Sequence, residues 1–340
     1  MVIVMSTDAG DTDVQAVLAR LTEQNCRGEL TVGVERTIIT VVGPSTSVLE
    51  DDVRSLAKVD SVVRLEKSYK LASRESQPDG TRVRFGSVEV GGGEIVVIAG
   101  PGSVESAEQI DALAPLLRDA GAVAITGATM RPDQSPYAFP GLGEEGLRML
   151  ANAAQAAGLA VINEAPSVDR VETVAQYADV IEIGPYNMRN YGLLEAVAVT
   201  GKPILLRRDL AGTLDDWLLS AEHILFKGNG QVILCESGIR TFEHATNTTT
   251  DISAVPMLKS MTHLPVFVDP AYSSGASALV TPLALAAVAA GADGLVLGVH
   301  ANPERAMVDG PQSLTPVAFA DLMRRIQPLA QVQGRSLASI

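Results

Sequence analysis

Ile95-Val96-Val97-Ile98-Ala99-Gly100-Pro101-Gly102-Ser103-Val104-Glu105-Ser106 is the stretch on which the fold turns. Five apolar residues without polar alternation specify a strand buried on both faces, and Gly-Pro-Gly ends it. Seven further short apolar runs follow: Ala122–Ile125, Leu159–Ile162, Val180–Ile183, Ile204–Leu206, Val232–Cys235, Val266–Val268 and Gly294–Leu297. Most are followed by a helical segment. Eight strand-then-helix units predict a parallel sheet closed as an α/β (β/α)8 TIM barrel. Active sites of such barrels gather at the carboxyl ends of the strands, so the residues just after each run are the first candidates.

Upstream, the first seventy residues alternate strand, helix, strand, strand, helix, strand. Val2–Met5 reads as a strand, Asp11–Asn25 as a helix with acidic residues in its first turn, and Glu35–Val42 as a β-branched strand. Val48–Ala57 and Ser61–Leu65 complete a ferredoxin-like βαββαβ unit. The expected organisation is residues 1–70 as a regulatory or assembly domain and 71–340 as the barrel. A polar turn near Gln77–Gly80 and a hairpin over Thr81–Val90 lead into the first barrel strand.

The composition narrows the partners. Of 340 residues, 46% are hydrophobic and 4% aromatic, so the core is built from aliphatic side chains. A net charge of −14 repels polyanions, which argues against nucleic acid and anionic membranes. No apolar run approaches the roughly 18 residues of a membrane span, and Met1–Met5 is too short for a signal peptide. A cytoplasmic protein with a small-molecule substrate is expected. Cys26 and Cys235 stand apart from other ligand-type residues, and Cys235, ending the apolar run Val232-Ile233-Leu234-Cys235, reads as a buried structural thiol. Gly91-Gly92-Gly93 lacks the following Lys-Ser or Lys-Thr of a phosphate loop. Glu144 and Glu145 complement a helix dipole.

Several stretches together resemble the 3-deoxy-7-phosphoheptulonate (DAHP) synthase family, in its short subtype with an N-terminal ferredoxin-like regulatory domain. They are the Ile98–Ser106 loop, Gly33-Val34-Glu35-Arg36-Thr37-Ile38-Ile39, Lys70–Glu75, Ser135-Pro136-Tyr137-Ala138-Phe139-Pro140-Gly141-Leu142-Gly143, Gly238–Glu243 and Asp309-Gly310-Pro311-Gln312-Ser313-Leu314. The likeness implies condensation of phosphoenolpyruvate (PEP) with erythrose 4-phosphate on a metal held by Cys, His, Glu and Asp. The positions matching those ligands are Gly102, Tyr272, Gly298 and Asp309, so one ligand survives. Four positions matching arginines of the phosphate and carboxylate clamps carry Thr126, Asp133, Tyr186 and Ser237. A charged hydrogen bond contributes about 1.5–3 kcal/mol, so losing several weakens a bisphosphorylated substrate pair severely.

From these departures the sequence predicts a barrel repurposed as a metal-independent enzyme. It would run aldol or enolate chemistry, as an aldolase-like transferase, on a small oxygenated substrate in specialised biosynthesis, with no cofactor. Two alternatives remain open: a catalytically inactive homologue that binds a partner or effector, and a genuine DAHP synthase. The catalytic candidates are Tyr272, Asp309, His300 and Tyr186; phenols can donate to a developing enolate. The substrate-binding candidates are Arg131, Asp133, Gln134, Glu164, Arg207, Arg208, Glu236 and Ser237. Space-filling tyrosines, an Asp309 that merely caps a turn, and a structural His300 are the plain counter-readings. His223, His244 and His263 are expected to be solvated or capping, and Asp269 structural. By analogy with the family, a homo-oligomer (dimer or tetramer) and an effector at the N-terminal domain are expected.

Overall fold

Four short strands and two amphipathic helices build the N-terminal unit: β1 (Val2–Met5), α1 (Asp11–Glu23), β2 (Arg27–Val32), β3 (Thr37–Val42), α2 (Ser47–Arg54) and β4 (Val59–Val63). The computed structural model describes residues 1–33, 36–43, 47–63, 68–131 and 135–340. The sheet order is β2-β3-β1-β4, with β1 antiparallel to both neighbours, which is the expected βαββαβ arrangement. The middle stretch does split into two strands. Val14, Val17 and Leu21 recur on one face of α1 and bury against Ile3, Ile39 and Val41. The helix ends before the expected Asn25, because that residue turns into the left-handed region at φ 56°. The last strand lies at Val59–Val63, two residues ahead of its expected place, and Leu65 falls outside the described residues. The chain divides into two compact units, Met1–Gly80 with Ser260–His263, and Thr81–Lys259 with Leu264–Ile340.

In the second unit a hairpin, β5 (Val83–Phe85) and β6 (Val88–Val90), precedes eight parallel strands. These are β7 (Glu94–Gly100), β8 (Ala124–Thr126), β9 (Ala160–Glu164), β10 (Val180–Ile183), β11 (Ile204–Arg207), β12 (Val232–Glu236), β13 (Val266–Val268) and β14 (Gly294–Gly298). Helices α3 (Ala107–Asp119), α4 (Glu144–Ala157), α5 (Val171–Tyr177), α6 (Tyr191–Ala198), α7 (Leu214–Phe226), α8 (Ala254–Met261), α9 (Pro270–Ser274), α10 (Ser277–Ala289) and α11 (Pro316–Val332) connect and follow them. Pairing of β14 with β7, from Gly294 opposite Val96 to Gly298 opposite Gly100, closes the barrel. A final short strand, β15 (Ser336–Leu337), runs beside the start of β7.

Side chains along a strand alternate faces, so Val96, Ile98, Ala124, Ile162, Val180, Leu205, Ile233 and Phe267 fill the interior. Val83, Phe85, Val88 and Val90 of the hairpin join the same cluster. The amino end is thereby filled with apolar atoms, which leaves the carboxyl end for chemistry.

Candidate active site

Continuing the same alternation to the strand ends brings polar side chains inward at the mouth. Thr126, Glu164, Glu182, Arg207 and Asp269 line a pocket there, two residues beyond apolar interior positions. Arg131, Tyr186, Tyr272, Asp309, Gln312 and Ser313 come from the loops above, with Gly102 and Gly298 forming part of the wall.

Two ion-pair groups organise this wall. Arg207 donates from Nε to Glu182 Oε1 at 2.5 Å and from Nη1 to Asp269 Oδ2 at 2.6 Å and Ser237 Oγ at 3.2 Å. Burial pulls the Arg207 pKa down, yet the two carboxylates carry it well above its ordinary value, so the guanidinium stays charged. Asp269 is also tied down as the N-cap of α9, accepting the Tyr272 N–H at 2.9 Å. On the opposite side Arg131 Nη1 donates to Asp309 Oδ2 at 3.0 Å and to the Gly102 carbonyl at 3.1 Å. Asp309 holds a left-handed backbone at φ 57° and immediately precedes Gly310-Pro311.

Of the sequence candidates, Arg131, Glu164, Tyr186, Arg207, Tyr272 and Asp309 meet at this pocket. Tyr186 stands at the rim and is 62% exposed. Asp133 and Gln134 lie outside the described residues. Arg208 and Glu236 do not reach the pocket, being one residue out of step with the inward positions. Arg208 donates to Glu236, Asp251 and the Gly212 carbonyl, and lies 6.0 Å from the Trp217 ring centroid. Burial pushes the Glu236 carboxyl pKa up, partly offset by Arg208. Ser237 is buried beneath Arg207 as its acceptor. His300 is buried, its Nδ1 accepting the Asn302 N–H at 3.0 Å and its Nε2 lying 3.6 Å from Glu105. It stays off the pocket wall.

Two other readings change. His263, expected to be solvated or capping, is buried, and its Nε2 pairs with the Leu71 carbonyl at 2.6 Å. Asp269, read as structural only, lines the pocket while also capping α9. Glu182 escaped notice because it sits inside an apolar run, Val180-Ile181-Glu182-Ile183. A carboxylate in such a run is the signal that finds it.

Known proteins match this architecture over nearly its whole length. The DAHP synthetase I family model covers residues 72–332, and the DAHP synthase ferredoxin-like domain covers 1–67. A phospho-2-dehydro-3-deoxyheptonate aldolase of Thermotoga maritima is 42% identical over 334 residues, covering 98% of this chain and 99% of that protein. The chain belongs to the DAHP synthase family. A crystal structure of a Thermotoga maritima DAHP synthase superposes with a TM-score of 0.79 at 41% identity, covering 99% of this chain and 98% of that one. A 2-dehydro-3-deoxyphosphooctonate aldolase of Trichlorobacter lovleyi is 30% identical, over 73% of this chain and 97% of its own length.

Within this DAHP synthase family member, the residues at the implied metal position do not suit a metal. Among the described residues no group of three or more His, Cys, Asp or Glu gathers in a way that could hold one. Of the four matching positions, Gly102 and Gly298 offer no side-chain donor, Tyr272 offers a phenol, and Asp309 is engaged by Arg131. A single carboxylate shared with a guanidinium lacks the ligand count and geometry that select a divalent ion. A Cβ built on Gly102 would lie 2.7 Å from Asp309 Cβ and 2.8 Å from Oδ2, so the glycine is what lets this aspartate approach.

Proposed function

We propose that this chain is an enzyme of aldolase type, in which the pocket at the carboxyl ends of β7 to β14 joins a small enolate-forming acid to an aldehyde. The observation that carries the reading is the ordered ring of charged side chains around the mouth, Arg131–Asp309 on one side and Glu182–Arg207–Asp269 on the other. A guanidinium such as Arg131 or Arg207 suits a substrate carboxylate, and the carboxylates and Tyr272 suit proton transfer or orientation. The likeness to phospho-2-dehydro-3-deoxyheptonate aldolase supports PEP and erythrose 4-phosphate as the first pair to test. A partner-binding, inactive homologue has no specific observation in its favour.

A second reading, metal-independent chemistry on a less anionic pair in specialised biosynthesis, is favoured by the charge of the wall. Four carboxylates (Glu164, Glu182, Asp269, Asp309) face two guanidiniums (Arg131, Arg207), and Thr126 and Tyr186 stand where the family has cations. That excess of negative charge opposes two phosphorylated anions. The deciding experiment is PEP consumption with erythrose 4-phosphate in the presence of Mn2+ or of EDTA, alongside unphosphorylated and amine-bearing aldehydes. Turnover that needs metal and stops with EDTA supports the relatives' reaction. EDTA-insensitive turnover of a less anionic pair supports the second reading, and no turnover with any pair overturns the enzyme assignment. The βαββαβ unit is proposed to bind an effector and the chain to form a dimer or tetramer, readable by calorimetric titration with aromatic amino acids and by light scattering.

A further inference from the structure

The Arg131 guanidinium touches two of the four positions that the family likeness assigns to metal ligands. Its Nη1 donates to the Gly102 carbonyl at 3.1 Å and to Asp309 Oδ2 at 3.0 Å. The side chain is 13% exposed, and its buried Nε has no hydrogen-bond partner among the described residues. The remaining two positions, Tyr272 and Gly298, line the same pocket.

We propose that Arg131 is the resident cation of this pocket, standing in the place of the divalent metal and excluding one. The proposal rests on the pocket being the active site, and its test needs no substrate. Three features carry it. A metal at Asp309 must displace or repel a positive group already in hydrogen-bond contact with that carboxylate. The arginine is held from both sides, by a backbone carbonyl and by a carboxylate, so its position is fixed before any ligand arrives. Its planar fork also keeps N–H donors beyond those spent on Gly102 and Asp309. Such a group can hold the oxygen of a substrate carbonyl or carboxylate where the metal would otherwise polarise it. Gly102 belongs to the same device, since any side chain there would push Asp309 off its present place.

Titration of Mn2+ into the full chain, followed by the electron paramagnetic resonance signal of the free ion, tests this directly. The wild-type chain is expected to leave Mn2+ free up to about 1 mM. Arg131→Ala is expected to tighten Mn2+ binding at least about tenfold, and adding Asp309→Asn to remove the gain. In Arg131→Ala, methylguanidinium should compete with Mn2+ for the vacated place, and Arg131→Gln, which removes the charge while keeping most of the volume, should admit the metal as Arg131→Ala does. Stoichiometric Mn2+ binding to the wild type at micromolar concentration, unchanged affinity in Arg131→Ala, or failure of methylguanidinium to compete would overturn the proposal. If circular dichroism shows Arg131→Ala unfolded, the wild-type and Arg131→Gln titrations decide alone, and equal affinity in the two overturns the proposal. A chain that excludes Mn2+ yet condenses no tested pair leaves this inference standing and sinks the proposed function instead.

Discussion

At Gly102 the missing side chain acts through space before it acts through coordination chemistry. Alanine there would bring a Cβ within 2.7 Å of Asp309, a separation that requires the aspartate or its loop to move. Overpacking of this kind costs about 1–3 kcal/mol. Gly102→Ala is therefore expected to lower the free energy of unfolding by about that amount in urea melts, while Gly298→Ala, whose nearest neighbour would be 3.5 Å away, stays within about 0.5 kcal/mol of wild type. Equal losses at the two glycines would show that the Gly102–Asp309 approach is not what constrains the loop. Asp309 was legible from the sequence as a surviving ligand-type residue, but its partnership with Arg131 spans 178 residues of chain and has no local signature.

The strands explain both what sequence reading captured and what it missed. Eight apolar runs of the right length, separated for the most part by helical segments, are enough to specify the barrel. Which polar residue at a strand end faces inward depends on a period of two. Arg207 continues the inward series of Leu205, while Arg208 points away, and neighbouring arginines give no hint of this difference unless the register is carried through the strand. The inward arginine compensates two buried carboxylates, so its removal leaves both without a counter-charge. Arg207→Met is expected to destabilise by about 3–5 kcal/mol, with Glu182→Gln in the Arg207→Met background recovering part of the loss in denaturant titration. His263 supplies a pH signature in the N-terminal unit. Burial lowers its folded-state pKa below the ordinary 6.5, so the neutral form is favoured on folding. This contribution is present above pH 6.5 and is lost as pH falls from there through the lowered folded value. His263→Asn should flatten stability against pH across that window, and an unchanged slope would assign the acid sensitivity to other groups.

At the scale of the whole molecule, charge couples the pocket to its surroundings. The chain carries a net −14, and within that total the pocket wall holds four carboxylates against two guanidiniums. An approaching anion therefore meets repulsion at long range and again at the mouth. The Debye length falls from about 30 Å at 0.01 M salt to about 10 Å at 0.1 M, so added salt removes the long-range part first. For a phosphorylated acid such as PEP, association should consequently become faster, or kcat/KM larger, as KCl is raised from about 10 to about 200 mM. An amine-bearing substrate should show the opposite slope, and a neutral one almost none. Measuring kcat/KM for the best pair at several KCl concentrations thus reads the sign of the substrate's charge independently of its identity. A rate that falls with salt for PEP would mean that Arg131 and Arg207 dominate the field at the mouth, which would favour the relatives' substrates over a less anionic pair.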